Sequence, residues 1–273
     1  MTDYQPAITQ TRGKLSSLAP ALRSRNFRLL WSAQIVSTMG TFLQVVAENW
    51  LLYDLTGSTF LLGVVGFLGL IPVVPIALLG GVIIDRVPKH KLIMFTQVGL
   101  LTQAAVFGLL IVNGQIRAWH IAALDFVLGA LFAVDTPARQ AFLAEIVSED
   151  DLANAVALNA TLFQLSRVVG QAASGLLIAS VGAGGAMLLN AASYVVPLLA
   201  LSRMRLDPTT RVVERASLGV ALSEGVSTLW KRFALIGTIS LMVTAGGLPF
   251  ATSLMMPAYA ADVLGTSTIG LGV

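Results

Sequence analysis

Long stretches without a single charged residue constrain this chain more than any other feature. Leu61 to Ile84, Leu92 to Val112 and Phe233 to Ala261 contain no Asp, Glu, Lys or Arg, and about 20 mostly apolar residues suffice for a helix to cross a bilayer. Pro249 and Pro257 interrupt the third stretch, so it spans with a tilt or a kink. Less pure spans run from Phe27 to Tyr53, Trp119 to Val134, Leu152 to Val181 and Ala186 to Leu201. That makes seven, and an eighth opens at Ser267 just before Val273. Charged residues make up 11% of the chain, against about 25% in a soluble domain. The chain reads as an all-α, polytopic membrane protein.

Composition removes whole classes of chemistry. There is no cysteine and there are two histidines, His90 and His120, which excludes disulfide frameworks, zinc–cysteine and iron–sulfur sites and thiol catalysis. No His–Glu–x–x–His zinc motif and no Ser–His pairing falls within the spans, so neither an enzyme nor a cofactor is expected. No metal and no nucleic-acid partner are expected either; the partners are the lipid bilayer and a small molecule. The first 26 residues lack an apolar core followed by a small-residue cleavage site, so the first span is expected to act as its own insertion signal.

Lys and Arg set the orientation. With the N-terminus cytoplasmic, Arg12, Lys14, Arg23, Arg25 and Arg28 lie inside, as do Arg86, Lys89, Lys91 and Arg139. Arg203, Arg205, Arg211, Arg215, Lys231 and Arg232 join them, leaving only Arg117 outside and Arg167 within the fifth span. A multi-pass protein of a bacterial-type inner (plasma) membrane, N-terminus in, follows. Between spans six and seven, Leu218, Leu222, Val226 and Leu229 recur at helical spacing within Glu214 to Trp230, an amphipathic helix suited to the cytoplasmic interface.

Polar residues inside spans are the functional candidates, because a charge at mid-membrane costs about 2.5–3.5 kcal/mol on insertion scales. On span one, Gln34, Ser37, Thr41, Gln44 and Glu48 fall on one helical face. That face either lines a wet cavity or hydrogen-bonds to neighbouring helices, and Glu48, nearer the outer end, has the further option of snorkelling to the interface. On span five, Gln164, Arg167, Gln171 and Ser174 share a face. Arg167 needs a partner, either an anionic substrate group or a carboxylate such as Asp135 or Asp125. Asp125, a third of the way into span four, is either half of an ion pair or a proton-coupling carboxyl, since burial disfavours its charged form. Gly182-Ala183-Gly184-Gly185 reads as a turn between spans, and Glu149-Asp150-Asp151 as a helix start favoured by the dipole.

The loop after span two reads Gly81-Val82-Ile83-Ile84-Asp85-Arg86-Val87-Pro88-Lys89-His90-Lys91. It resembles the signature of the major facilitator superfamily: Gly, three residues, Asp-Arg, one residue, Gly, then a basic run, with Pro88 standing where the family has glycine. Asp135-Thr136-Pro137-Ala138-Arg139-Gln140-Ala141, with Asp151-Leu152-Ala153-Asn154-Ala155, Leu158-Asn159 and Leu189-Asn190-Ala191-Ala192-Ser193-Tyr194, resembles the branch of transmembrane secretion effectors that includes the enterobactin exporter. The glycine–proline motif common in span five of the family's antiporters has Gln171 in place of proline.

The resemblance implies a secondary active transporter, a proton-coupled exporter of an amphipathic siderophore or drug working by alternating access. Gln34, Thr41, Gln44, Glu48, Asp125 and Arg167 would line the substrate and coupling path. Gly81, Asp85, Arg86, Lys89, Asp135 and Arg139 would form an inner gate, with Lys89 or Arg86 paired to Asp135 and Asp85 meeting a helix of the second half. Residues 1–26 are then a cytoplasmic segment, 27–203 the six-span first half, 204–232 a cytoplasmic connector and 233–273 the start of the second half. The family has twelve spans, so the remaining C-terminal half is expected as a missing partner. The competing expectation is a half-transporter that moves nothing alone and acts as an assembly partner or an inert fragment.

Overall fold

The computed structural model describes residues 19–73, 75, 76 and 87–206, with 252, 255, 256, 258, 259 and 262. Among these residues every regular element is helical. A 3-10 turn at Pro20–Arg23 leads into α1, Arg25–Thr56. Ser24 caps α1: its hydroxyl accepts from the Phe27 N–H at 3.3 Å and donates to the Ile146 carbonyl at 2.6 Å. The helix ends at Gly57, whose φ of 61° is the left-handed cap that glycine adopts without strain. Ser58 then caps α2, Thr59–Leu70. Pro88 opens α3, Lys89–Val112, and α4 runs from Ala118 to Ile146.

Next comes α5, Glu149–Ser193, continued almost directly by α6, Val195–Ser202. Together they form 54 residues of helix, which would be about 80 Å long if straight, far more than a bilayer of about 30 Å. The run is broken at Gly182, where φ 73° and ψ 167° interrupt the helical backbone. The sequence-predicted turn at Gly182 is therefore present, and it splits α5 into two arms.

Arg25–Thr56, Lys89–Val112, Ala118–Ile146 and Glu149–Ser202 are each long and apolar enough to cross a membrane. These helices contain the spans predicted to start at Phe27, Leu92, Trp119, Leu152 and Ala186. Of the span predicted from Leu61 to Ile84, the described part is α2 with residues 71–73, 75 and 76. The amphipathic stretch Glu214 to Trp230 and the eighth span lie outside the described residues, as does most of the seventh. One boundary moves: α4 continues twelve residues beyond Val134, through Pro137, because Asp135, Arg139 and Glu145 each find an ion partner.

Helix α1 lies between the arms of α5. On the first arm, Gly170 faces the Met39 carbonyl and Phe42, Trp31 Nε1 donates to the Leu158 carbonyl at 3.2 Å, and Phe42 meets Phe163 edge to face. On the second arm, Gly40 faces Asn190 and Ser193. Phe27, Leu30, Ile93, Phe142 and Leu201 pack one end of the bundle, while Leu43, Leu52, Leu62, Phe107, Ile121 and Met187 pack the other. The outward face is apolar as well: Phe60, Phe67, Phe95 and Leu176 are at least 65% exposed. Hydrocarbon, as apolar as those side chains, is the medium for such a surface, and the protein is a multi-pass membrane protein.

Candidate functional site

The polar face predicted on span one is present on α1, and the structure shows what each member touches. Ser37, Gln44 and Glu48 are buried, whereas Gln34 and Thr41 are half-buried. Thr41 donates to the Ser37 carbonyl at 2.9 Å, so at the 2.8 Å contact between the two hydroxyls it is Tyr194 that donates to Thr41. Gln44 is enclosed completely. Its Oε1 accepts from Asn190 Nδ2 at 2.6 Å, and its Nε2 donates to Gln103 Oε1 at 3.2 Å. Gln103 Nε2 in turn donates to the Leu124 carbonyl at 3.2 Å. This chain of amides crosses from α5 through α1 and α3 to α4. At Thr41 and Gln44 the face is thus hydrogen-bonded to neighbouring helices, the second of the two sequence alternatives.

Glu48 sits one turn beyond Gln44. It does not snorkel: it is 4% exposed, and its Oε1 has no partner among the described residues. Asp125 is half-buried on α4 with its carboxylate against Gly69 of α2, a contact that depends on glycine having no side chain.

Of the two partners expected for Arg167, the carboxylate is not found among the described residues. Arg167 lies exposed on the first arm of α5 and makes no ion pair among the described residues, with neither Asp135 nor Asp125 beside it. Asp135 is occupied by its own helix, pairing with Arg139 one turn on, where both are buried. Thr96 Oγ1 and Gln97 Nε2 of α3 also donate to Asp135, while Arg139 Nη1 and Gln97 Oε1 stay unpartnered among the described residues. The expected link from Lys89 to Asp135 is corrected: Lys89 pairs with Glu145 at 2.8 Å. Lys89 opens α3 and Glu145 lies in the last turn of α4, so those ends meet, while Asp135 is almost three turns further in. Gly81, Asp85 and Arg86 lie outside the described residues.

The basic end is tied together by the backbone. Asn26 exchanges two hydrogen bonds with Arg205, Nδ2 donating to its carbonyl at 2.7 Å and Oδ1 accepting its N–H at 3.3 Å. Arg25 reaches the Arg203 carbonyl at 3.4 Å, and His90 Nε2 contacts the Leu201 carbonyl at 2.9 Å. Arg25, Lys89, Arg203 and Arg205 therefore gather at one end of the bundle. Gly57, Gly114 and Gly182 break the backbone at the other.

The sequence from residue 15 to residue 263 matches the family model described as transmembrane secretion effector, within the major facilitator superfamily. The chain belongs to that family. The chain is similar to the multidrug efflux pump Tap of Mycolicibacterium fortuitum, 27% identical over 86% of the chain and 59% of the pump. It is also similar to the staphyloferrin A transporter of Staphylococcus aureus, 24% identical over 83% of the chain and 58% of that protein. The macrolide efflux protein A of Streptococcus pyogenes is 23% identical over 80% of the chain and 55% of the relative. The chain thus spans a little over half the length of these curated relatives. The relatives carry the names of two efflux proteins and one transporter.

Thr96, Gln97 and Gln103 were missed because the span from Leu92 to Val112 carries no charge, and its two Thr-Gln pairs, Thr96-Gln97 and Thr102-Gln103, drew no notice within it. A signal existed nonetheless. A buried glutamine needs partners wherever water is absent, and Gln97, Gln103 and Asn190 are among the few candidates in the other spans.

Proposed function

We propose that the chain is the working N-terminal part of a proton-coupled exporter that moves an amphipathic small molecule, a siderophore or a drug, by alternating access. The observation that carries the reading is the similarity to two drug-efflux proteins and a siderophore transporter across at least 80% of the chain. Residues 27–203 form a six-span half with its N-terminus cytoplasmic, 204–232 the connector and 233–273 the opening of the second half, all in a bacterial-type inner membrane. Gathering of basic residues at the end that holds the Asn26–Arg205 contact supports that orientation.

In this reading Gln34, Asp125 and Arg167, which keep some exposure, meet the substrate or its coupling proton. Thr41, Gln44 and Glu48 hold the wall behind them. The inner gate comprises Gly81, Asp85, Arg86, Lys89, Asp135 and Arg139, with the paired carboxylates Asp135 and Glu145 anchoring its basic members.

Deleting the gene that encodes this chain from its source cell tests the reading. Mutant cells loaded with a fluorescent amphipathic dye or with siderophore should retain several-fold more of it, and a protonophore should remove the difference. Unchanged retention across a panel of such compounds would sink the proposal. Orientation is tested separately, and the cysteine-free sequence makes this clean. A Ser58→Cys variant should react with an impermeant maleimide from outside the cell and a Ser148→Cys variant should not; the opposite pattern overturns the assignment.

A further inference from the structure

The end of the bundle where α1 begins carries charge of both signs, sorted onto different sides. On one side α5 opens with Glu149, Asp150 and Asp151, close to the 3-10 turn, where Asn154 Oδ1 accepts from the Ala21 N–H at 3.3 Å. On the other side the starts of α1 and α3 meet the end of α6. His90 contacts the Leu201 carbonyl at 2.9 Å, Arg25 donates to the Arg203 carbonyl at 3.4 Å, and Asn26 grips the backbone of Arg205. Arg25, Lys91, Arg203 and Arg205 are all exposed there, and none makes an ion pair among the described residues. Next to these cations the surface turns apolar. Phe95, one turn after Lys91 on α3, is 70% exposed, and Leu199, one turn before Arg203 on α6, is 50% exposed. Val98 and Val195 continue the two strips away from the charged end. Thr102, further along α3, donates its hydroxyl to the Val98 carbonyl of its own helix at 2.8 Å, so it adds no free donor to the strip.

We propose that this corner binds one anionic phospholipid, its phosphate among Arg25, Lys91, Arg203 and Arg205 and its acyl chains along the strips headed by Phe95 and Leu199. Charge and shape choose the occupant together. Lys and Arg clustered at a membrane surface draw anionic headgroups, and guanidinium forks match phosphate oxygens. A zwitterionic lipid would bring its own cation up against four others, and a water-soluble anion would leave Phe95 and Leu199 uncovered. Val98 lies about 10 Å along α3 from Lys91, within the roughly 15 Å of hydrocarbon in one leaflet. The other outward faces lack the match. Acids at the start of α5 repel the same headgroup. Helix α2 exposes Phe60 and Phe67, but from Thr59 to Leu70 it has no Lys or Arg to fix a headgroup. The inference is independent of what the chain transports and of what drives transport.

The test is native mass spectrometry of the full chain in detergent, titrated with dioleoyl phosphatidylglycerol or with dioleoyl phosphatidylcholine. The wild-type protein should hold one phosphatidylglycerol about tenfold or more tightly than phosphatidylcholine. Arg203 and Arg205 meet α1 through their backbones, so a double variant, Arg203→Gln with Arg205→Gln, removes charge and leaves those contacts in place. It should weaken phosphatidylglycerol by about fivefold per cation and leave phosphatidylcholine unchanged. Lys91→Gln should do the same for its one charge, and it decides alone if the double variant fails to fold. Arg117→Gln, at the opposite end of the bundle, should change neither lipid. Equal retention of the two lipids, no weakening in the charge variants, or the same weakening in Arg117→Gln overturns the site. Displacement of the lipid by millimolar inorganic phosphate would assign the corner to a soluble anion and overturn the lipid as its occupant.

Discussion

Replacing Gln44 by Leu keeps the side-chain volume close to constant and deletes both amide bonds that α1 makes at its centre. Asn190 then loses its acceptor and Gln103 its donor, each inside the bundle. Interhelical hydrogen bonds in membranes average about 0.6 kcal/mol and reach about 1.7, so two of them put the floor near about 1 kcal/mol. The stranded Asn190 N–H and Gln103 Oε1 add desolvation that neither can recover from water. We expect Gln44→Leu to lower stability by about 1–3 kcal/mol. Adding Asn190→Leu should cost less than its effect in the wild-type background, with a coupling of about 0.6–1.7 kcal/mol. Reversible unfolding of the full chain in mixed micelles, followed by circular dichroism, reads both quantities. A Gln44→Leu protein as stable as wild type to within about 0.3 kcal/mol, or strictly additive variants, would refute the argument that this network joins the helices.

Gly170→Ala places a methyl group 2.7 Å from the Met39 carbonyl oxygen; the α1–α5 crossing should loosen by about 1–3 kcal/mol. Gly63→Ala enters open space and should instead be neutral or up to about 1 kcal/mol stabilising, a contrast the same unfolding assay reads. Asp135→Asn strands the buried Arg139 guanidinium and should cost about 3–5 kcal/mol, whereas Glu145→Gln, which breaks a partly exposed pair, should cost about 0–1. Gly182→Ala forces a methyl-bearing residue into backbone torsions that essentially only glycine occupies, at about 1–3 kcal/mol; increased proteolysis between the two arms would report it.

A charge-free run revealed α3, largely apolar runs with one or two charges revealed α1 and α4, and Gly182 marked the break within α5, because hydrocarbon leaves a backbone few options besides a helix. The far end of α4 was hidden: Asp135, Arg139 and Glu145 look like a loop until their ion partners are in place. Interhelical partners were equally hidden. Periodicity shows that Gln44 and Glu48 share a face, yet it says nothing about which residue on another helix answers them. Gln44 finds two amides, while Glu48, one turn further, keeps one oxygen without a partner among the described residues. Arg167 was expected to meet a carboxylate or an anionic substrate group, and its span alone could not show that neither Asp135 nor Asp125 would supply the carboxylate.

Asn26 and Arg205 hold hands across almost the whole length of the described chain. Chain order is therefore incidental to this bundle: its two ends already touch, and the covalent path could be closed there and opened at Gly57 or Gly182, as circular permutation does in other domains with neighbouring termini. Whatever leaves the bundle after Arg205 departs from the same point at which α1 enters it. A swing about that corner would have to break the bond that Tyr53, near the other end of α1, donates to Asp262 at 2.6 Å.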